Sequence, residues 1–297
     1  MNSVASVAMT SLPQSFPQTA PVTSGSTVFE RSQQPALALF AMGMIGMGVL
    51  ALVVGDFAMV WQPVPAWFPA RTALAYGSGV LMLVCGIGLL FRSTTARSIR
   101  ILFPYLIVWQ LLKLPDIVAS PGVEGVYSGF GELAVLLAGG WTFFARLGDV
   151  RVPTWLSWAV GDRGVRIARY YFALWIIPIG LSHWIYLKPS IDLVPLWLPE
   201  KAFWAQLAGA GQIASGLGVL FGVLPRAAAW AEAIQISLYT LLIWLPAILL
   251  SNRNLGPSFA NAGMRLAFTA FLISWVIGSG AWAVAQNVPR KAGKAKK

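Results

Sequence analysis

The residues able to do chemistry are few, and most sit where apolar runs end. His183 precedes Trp184 and Asp56 precedes Phe57, each pair near the end of an apolar stretch. An imidazole with an ordinary pKa can relay a proton or hydrogen-bond a ligand carbonyl, and a neighbouring aromatic can stack on a ligand ring. The other reading is an interfacial anchor, since a polar group at a span end costs little. Lys113 and Asp116 are three residues apart and would share a helical face and neutralise each other, with Pro115 opening the helix between them. Glu132 begins the next apolar run near the same level. Together Lys113, Asp116 and Glu132 could bind a polar head group or pass a proton; alternatively they are a loop-edge ion pair that snorkels to water. Glu232 and Gln235, with Gln212 and Tyr239, could bond across helices.

Other chemistries are excluded. Cys85 and His183 are the only cysteine and histidine among 297 residues. An intrachain disulfide, dithiol redox chemistry, a Cys/His zinc site and multi-histidine metal ligation are therefore out, and no metal site is expected. The chain contains no GxxxxGK[ST], HExxH or GxSxG.

These residues hang on elements that must live in lipid. Hydrophobic residues make up 57% of the chain and charged residues 10%, against about 25% charged in soluble domains. Eight apolar segments follow one another, at 36–56, 72–91, 101–118, 131–147, 167–187, 202–224, 227–250 and 265–285. Most approach the ~20 residues that carry a helix across a ~30 Å hydrocarbon core. Backbone groups in lipid must pair within their own segment, so the expected class is all-α. Residues 1–35 read as a disordered cytoplasmic tail, 148–166 as a cytoplasmic linker, and 287–297 as a basic cytoplasmic tail able to contact anionic lipid.

The net charge of +11 is distributed unevenly. Fifteen Lys and Arg fall in one set of connections and at the termini. Only Arg71, Lys188, Lys201 and Arg253 fall in the alternate set, with Lys113 and Arg265 in or at the ends of spans. The positive-inside rule then places both termini in the cytoplasm and calls for an even number of crossings. Basic residues confined to membrane-flanking loops also argue against a nucleic-acid partner. The outer loops are rich in Trp and Pro, at Trp61, Pro63, Pro65, Trp67 and Pro69, then Pro195, Trp197 and Pro199. They read as short segments lying at the interface above the helices.

The chain also repeats. Pro65-Ala66-Trp67-Phe68-Pro69 recurs 130 residues later as Pro195-Leu196-Trp197-Leu198-Pro199. At that offset Arg71 falls on Lys201, Gly79 on Gly209, Gly86 on Gly216 and Gly88 on Gly218. With gaps, Asp56-Phe57 falls opposite His183-Trp184, Pro115 opposite Pro246, and Gly139-Gly140-Trp141 opposite Gly280-Ala281-Trp282. The expectation is eight transmembrane helices as two parallel four-helix repeats, 36–147 and 167–286, related by an axis along the membrane normal.

Each unit, with its PxW(F/L)P segment, a glycine-rich span ending GxGxLF, an Arg, a span ending in Pro, and a small-small-Trp, resembles the DoxX family of bacterial membrane proteins, here as a tandem duplication. The resemblance implies a multi-pass protein of the cell inner membrane. Some relatives are subunits of a thiosulfate:quinone oxidoreductase and others belong to membrane redox or oxidative-stress complexes. It therefore implies quinone as a ligand and redox-complex subunits as partners, but it carries over no agreed set of functional residues; Asp56, Lys113, Asp116, Glu132, His183 and Trp184 are candidate ligand-binding residues by their own chemistry and placement. Relatives often carry His plus an aromatic at the Asp56 position, so a role needing imidazole survives only at His183. Two other functions stay open: a small-solute or lipid transporter, and a scaffold or assembly factor.

Overall fold

The computed structural model describes residues 25–147, 152 and 154–289. The expected tails and linker fall partly outside these residues, at 1–24, 148–151, 153 and 290–297. By compactness the chain divides into Met1–Ser32 and Gln33–Lys297, and the second of these units holds the helix bundle.

Among the described residues every regular element is a helix. The chain runs α1 (Gly25–Val54), α2 (Arg71–Leu90), α3 (Arg92–Leu112), α4 (Leu114–Ala119) and α5 (Glu124–Leu147). A 3₁₀ turn at Thr154–Ala159 leads to α6 (Gly161–Ile185), α7 (Leu187–Leu193), α8 (Lys201–Leu220) and α9 (Pro225–Tyr239). A π-helical turn, Thr240–Trp244, joins α9 to α10 (Leu245–Leu249), and α11 (Pro257–Ala260) and α12 (Met264–Gln286) complete the fold.

Six of these stretches are long and apolar enough to cross a membrane: Pro35–Val54, Arg71–Leu90, Arg92–Ala119, Glu124–Leu147, Pro225–Leu249 and Met264–Gln286. A seventh is added if α6 and α7, bent by 96° at Tyr186, count as one span. Helix α8 matches α2 in length, at 20 residues, but falls outside the six. Gln206, Gln212, Ser215 and four glycines dilute its apolar character. The protein is thus an all-helical membrane protein.

The core sits on α5, whose residues from Leu133 to Ala145 are all buried. It packs against α3, α6 and α12. Glycines set how closely helices meet, because lipid offers no hydrophobic drive between them and van der Waals contact must do the work. A Cβ on Gly139 would lie 2.5 Å from the Cα of Gly280, and one on Gly280 would lie 3.0 Å from the Cα of Gly139. Helices α5 and α12 therefore touch backbone to backbone.

Other contacts come in matched pairs. Gly48 of α1 rests on the Gly79 carbonyl, and Gly180 of α6 rests on the Gly209 carbonyl. Gly86 abuts Ile45 and the Ala41 carbonyl, while Gly216 abuts Ile177 and the Ala173 carbonyl. Buried positions in α2, including Ala75, Gly79, Met82, Cys85, Gly86 and Leu89, recur 130 residues later in α8 as Ala205, Gly209, Gln212, Ser215, Gly216 and Val219. Buried Ile99, Leu102, Phe103 and Leu106 of α3 recur likewise as Ala229, Glu232, Ala233 and Ile236 of α9. Past the π turn the spacing becomes 131, from Pro115 to Pro246, as the one extra residue of a π-bulge requires.

Substitution Gly139→Val should lower the melting temperature of the detergent-solubilised protein sharply, at a cost of about 1–3 kcal/mol or more for overpacking. Gly77→Ala, whose added carbon would meet nothing within 4 Å, should leave it unchanged or slightly raised. Equal effects of the two substitutions would contradict the backbone crossing.

Candidate functional site

Asp56 lies just beyond α1 and is held by two arginines. Arg71, the first residue of α2, pairs with one carboxylate oxygen, and Arg265 of α12 pairs with the other at 2.9 Å. Arg265 also donates to the Phe57 carbonyl at 2.8 Å, and the Phe57 N–H donates back to Asp56 at 2.7 Å. The Arg71 guanidinium lies 5.6 Å from the Phe57 ring centre. Partial burial pushes the Asp56 carboxyl up, but the bonds from Arg265, the Phe57 N–H and Arg71 outweigh it and hold the group below the usual carboxylate range. The result is a clamp joining α12 to the α1–α2 connection, across 209 residues of sequence.

Beside the clamp, Phe57, Trp61, Tyr105 and Trp109 pack edge to face. Gln62 ties this cluster together. Its side-chain carbonyl accepts from the Ala58 N–H at 2.7 Å, and its amide donates to Ser78 at 2.9 Å and Tyr105 at 2.8 Å.

Lys113 is buried, and its ammonium donates to the Val60 carbonyl at 2.5 Å. Lys113 makes no close ion pair with Asp116, although the fields of Glu132 and Asp116 both reach its ammonium. The helix is interrupted at Lys113, and Pro115 falls in the first turn of α4, where its missing N–H would have no intrahelical partner anyway. Asp116 is exposed, and Glu132 is half-buried on α5. None of the three takes part in an ion pair among the described residues. Lys113 thus pins the outer loop to the end of α3.

His183 lies in the last turn of α6, half-buried, and Trp184 beside it is 47% exposed. The imidazole Nδ1 lies 3.0 Å from the Ile179 carbonyl. A carbonyl only accepts, so Nδ1 carries the proton and Nε2 keeps a lone pair. The ring stacks on Tyr239 with centroids 6.4 Å apart. Tyr239 bonds to Gln235, whose amide donates to the Ala208 carbonyl at 2.7 Å. Lower on α9, Glu232 accepts from Gln212 at 3.5 Å. The polar residues of α8 and α9 therefore form a seam, with His183 at one end and Glu232 at the other.

The structure separates the two pairs that sequence spacing set opposite each other. In the matched packing of α1 and α6, Ala41, Ile45 and Gly48 correspond to Ala173, Ile177 and Gly180, each 132 residues on. That register puts Ala51 opposite His183, not Asp56. Asp56 belongs to an ionic clamp and His183 to an aromatic-amide seam.

An open groove of about 610 Å3 lies between α8 and α9 and reaches the turn that joins them, at Phe221, Val223 and Leu224. Its walls are mostly small or aliphatic, including Gly211, Ala214, Gly218 and Ala231, with Ser215 and Gln235 as polar liners.

Residues 164–244 match the DoxX family profile. The chain carries a DoxX domain. The match covers the DoxX helices α6 to α9 and the π turn, and so includes His183, Trp184, Gln212, Glu232 and Tyr239. The clamp residues Asp56, Arg71 and Arg265 lie outside the DoxX match. No curated protein and no solved structure matches the chain.

Two residues of the clamp are not legible as partners. Arg265 reads in sequence as an outer-surface anchor and Arg71 as a loop charge. The available signal is Asp56, an acid near a span end with no basic residue within a helical turn.

Because the folded-state pKa of Asp56 is depressed, the clamp stabilises the fold above the ordinary carboxylate pKa and is lost as pH falls below about 4. The melting temperature of the wild type should fall across that range more steeply than that of Asp56→Asn. At neutral pH Asp56→Asn should cost about 1–2 kcal/mol, since the arginines are 27% and 35% exposed and partly screened. Parallel acid profiles would show that the clamp does not hold.

Proposed function

We propose that this DoxX protein is a quinone-linked component of the cell inner membrane, built from eight spans in two parallel four-helix repeats with both termini in the cytoplasm. The repeat reading is supported by the matched helix contacts. It is supported further by Gly139 meeting Gly280, the residue that sequence comparison sets opposite it. Equivalent residues touch each other where a twofold axis passes. Helix α8 is then a span despite its polar residues, because those residues face α9 and the seam. The excess of Lys and Arg on one side supports the orientation.

One observation carries the functional reading: the His183 imidazole has a free acceptor at Nε2 and stacks on Tyr239 next to an exposed tryptophan. A quinol arriving from the bilayer presents an O–H that such a nitrogen accepts. With a quinone instead, the protonated imidazole presents an N–H to the ring carbonyl. Trp184 offers an apolar face at the point of entry. The lipid phase supplies the carrier, and the redox partner is a further membrane subunit. The basic tail at 287–297 is assigned to anionic lipid.

A short-tailed ubiquinone analogue should raise the melting temperature of the protein in nanodiscs. His183→Ala should weaken that analogue by about tenfold, or ~1.4 kcal/mol, and leave the ligand-free melting temperature nearly unchanged. No shift in the wild type, or an equal shift in both proteins, would rule the site out.

A further inference from the structure

Glu232 is completely buried in a helix that crosses the lipid slab, and no ion pair among the described residues includes it. One carboxylate oxygen, Oε1, accepts from Gln212 at a long 3.5 Å, and Oε2 has no hydrogen-bond partner. The side-chain oxygen of Gln212, itself 2% exposed, has none either. A resident negative charge in such a place is expensive, and so is an unpaired polar group. Packing does not require these residues. The positions 130 residues earlier are Met82, Cys85 and Leu102, all buried and apolar, where the second half has Gln212, Ser215 and Glu232. At these three positions the first half of the chain thus closes the same helix pair with apolar side chains, its own polar contact between the two helices being Ser78 with Tyr105.

Ser215 connects this acid to the outside. Its side chain lies close enough to Glu232 to act on the carboxyl, one turn along α8 from Gln212, and the residue lines the α8–α9 groove. We propose that Glu232, with Ser215 and Gln212, is a proton-binding site within the membrane that exchanges its proton with the groove through the Ser215 hydroxyl. In the transfer, a proton from a hydroxyl or water in the groove adds to Ser215 Oγ as the hydroxyl's own proton passes to the Glu232 carboxylate. The donor is left one charge more negative and Glu232 becomes neutral. As a neutral acid, Glu232 supplies an O–H that the unpaired oxygen of Gln212 can accept. Few charges compete there. On α9 Tyr239 is the titratable group whose field reaches Glu232. The facing stretch of α8 adds only the uncharged Gln212 and Ser215, and the single ionisable residue of α12, Arg265, is paired with Asp56.

The test is infrared spectroscopy of the full chain in nanodiscs, without added ligand, on transfer from H2O to D2O. The wild type should show a carboxylic-acid carbonyl band, absent from Glu232→Gln, that shifts on deuteration. Ser215→Ala should slow that shift at least tenfold. Ala231→Phe, which fills the groove but leaves the hydroxyl, should slow it as well. Absence of a band specific to Glu232, or wild-type exchange rates in both variants, would overturn the proposal. Should Glu232→Gln fail to fold, Glu232→Asp, with its displaced band, replaces it as the assignment. The readout needs no quinone, so it stands or falls separately from the His183 site.

Discussion

In lipid, a helix bundle gains little from hiding apolar side chains, and this chain is organised by the consequence. The backbones of α5 and α12 meet at Gly139 and Gly280 with no room for a Cβ on either side. That crossing sets the distance between the two halves, and the largely buried α5 is wedged against α3, α6 and α12 around it. The glycine contacts of α1 with α2 and of α6 with α8 carry the same logic outward. Once backbones are this close, small registers matter. A slip of one residue would drive side chains such as Ile45 or Ile177 into a neighbouring helix.

Polar groups are then placed where such a frame can hold them. At the end rich in Trp and Pro, Asp56 and its two arginines lie near water and cost little, and they join α12 to the α1–α2 connection. Lys113 does related work by capping the Val60 carbonyl, one of the backbone groups that an irregular loop leaves without a helical partner. Inside the slab the arrangement is asymmetric. The first half keeps one compact network of Gln62, Ser78 and Tyr105 close to the loop. The second half carries a seam that runs down α9 from Tyr239 to Glu232.

Much of this is legible in the sequence, for physical reasons. Apolar runs near twenty residues, glycines at fixed spacing and Trp/Pro loops are each imposed by the bilayer, so they give the helical class and the matched helices directly. The proximity of Glu232, Gln212, Gln235 and Tyr239 follows from helical periodicity. Long-range pairing is not readable: nothing local to Arg265 points at Asp56, 209 residues away. The register of α1 against α6 is also hidden, because matching the polar-aromatic pairs at the loop sets Asp56 against His183. Helix packing fixes register through Gly48 and Gly180 instead, and loops of different length absorb the difference. The break at Lys113 escapes notice because a proline in a first turn and a proline in mid-span look alike in one sequence.

The comparison of the two halves bears on where function resides. A fold that needed polar side chains between its second and third helices would need them twice. Here Met82, Cys85 and Leu102 close the first pair and Gln212, Ser215 and Glu232 close the second, on frames whose glycine contacts correspond. The π turn after α9 adds to the contrast, since the corresponding path from α3 passes through the break at Lys113 instead. A single-residue π insertion lets Pro246 follow a continuing helix, just after Gln235 and Tyr239 have met α8 and His183. At these three positions the first half thus acts as the apolar reference for the second, and Gln212, Ser215 and Glu232 depart from what packing alone selects, whereas Gln235 stands 130 residues after Tyr105, itself bonded to Ser78.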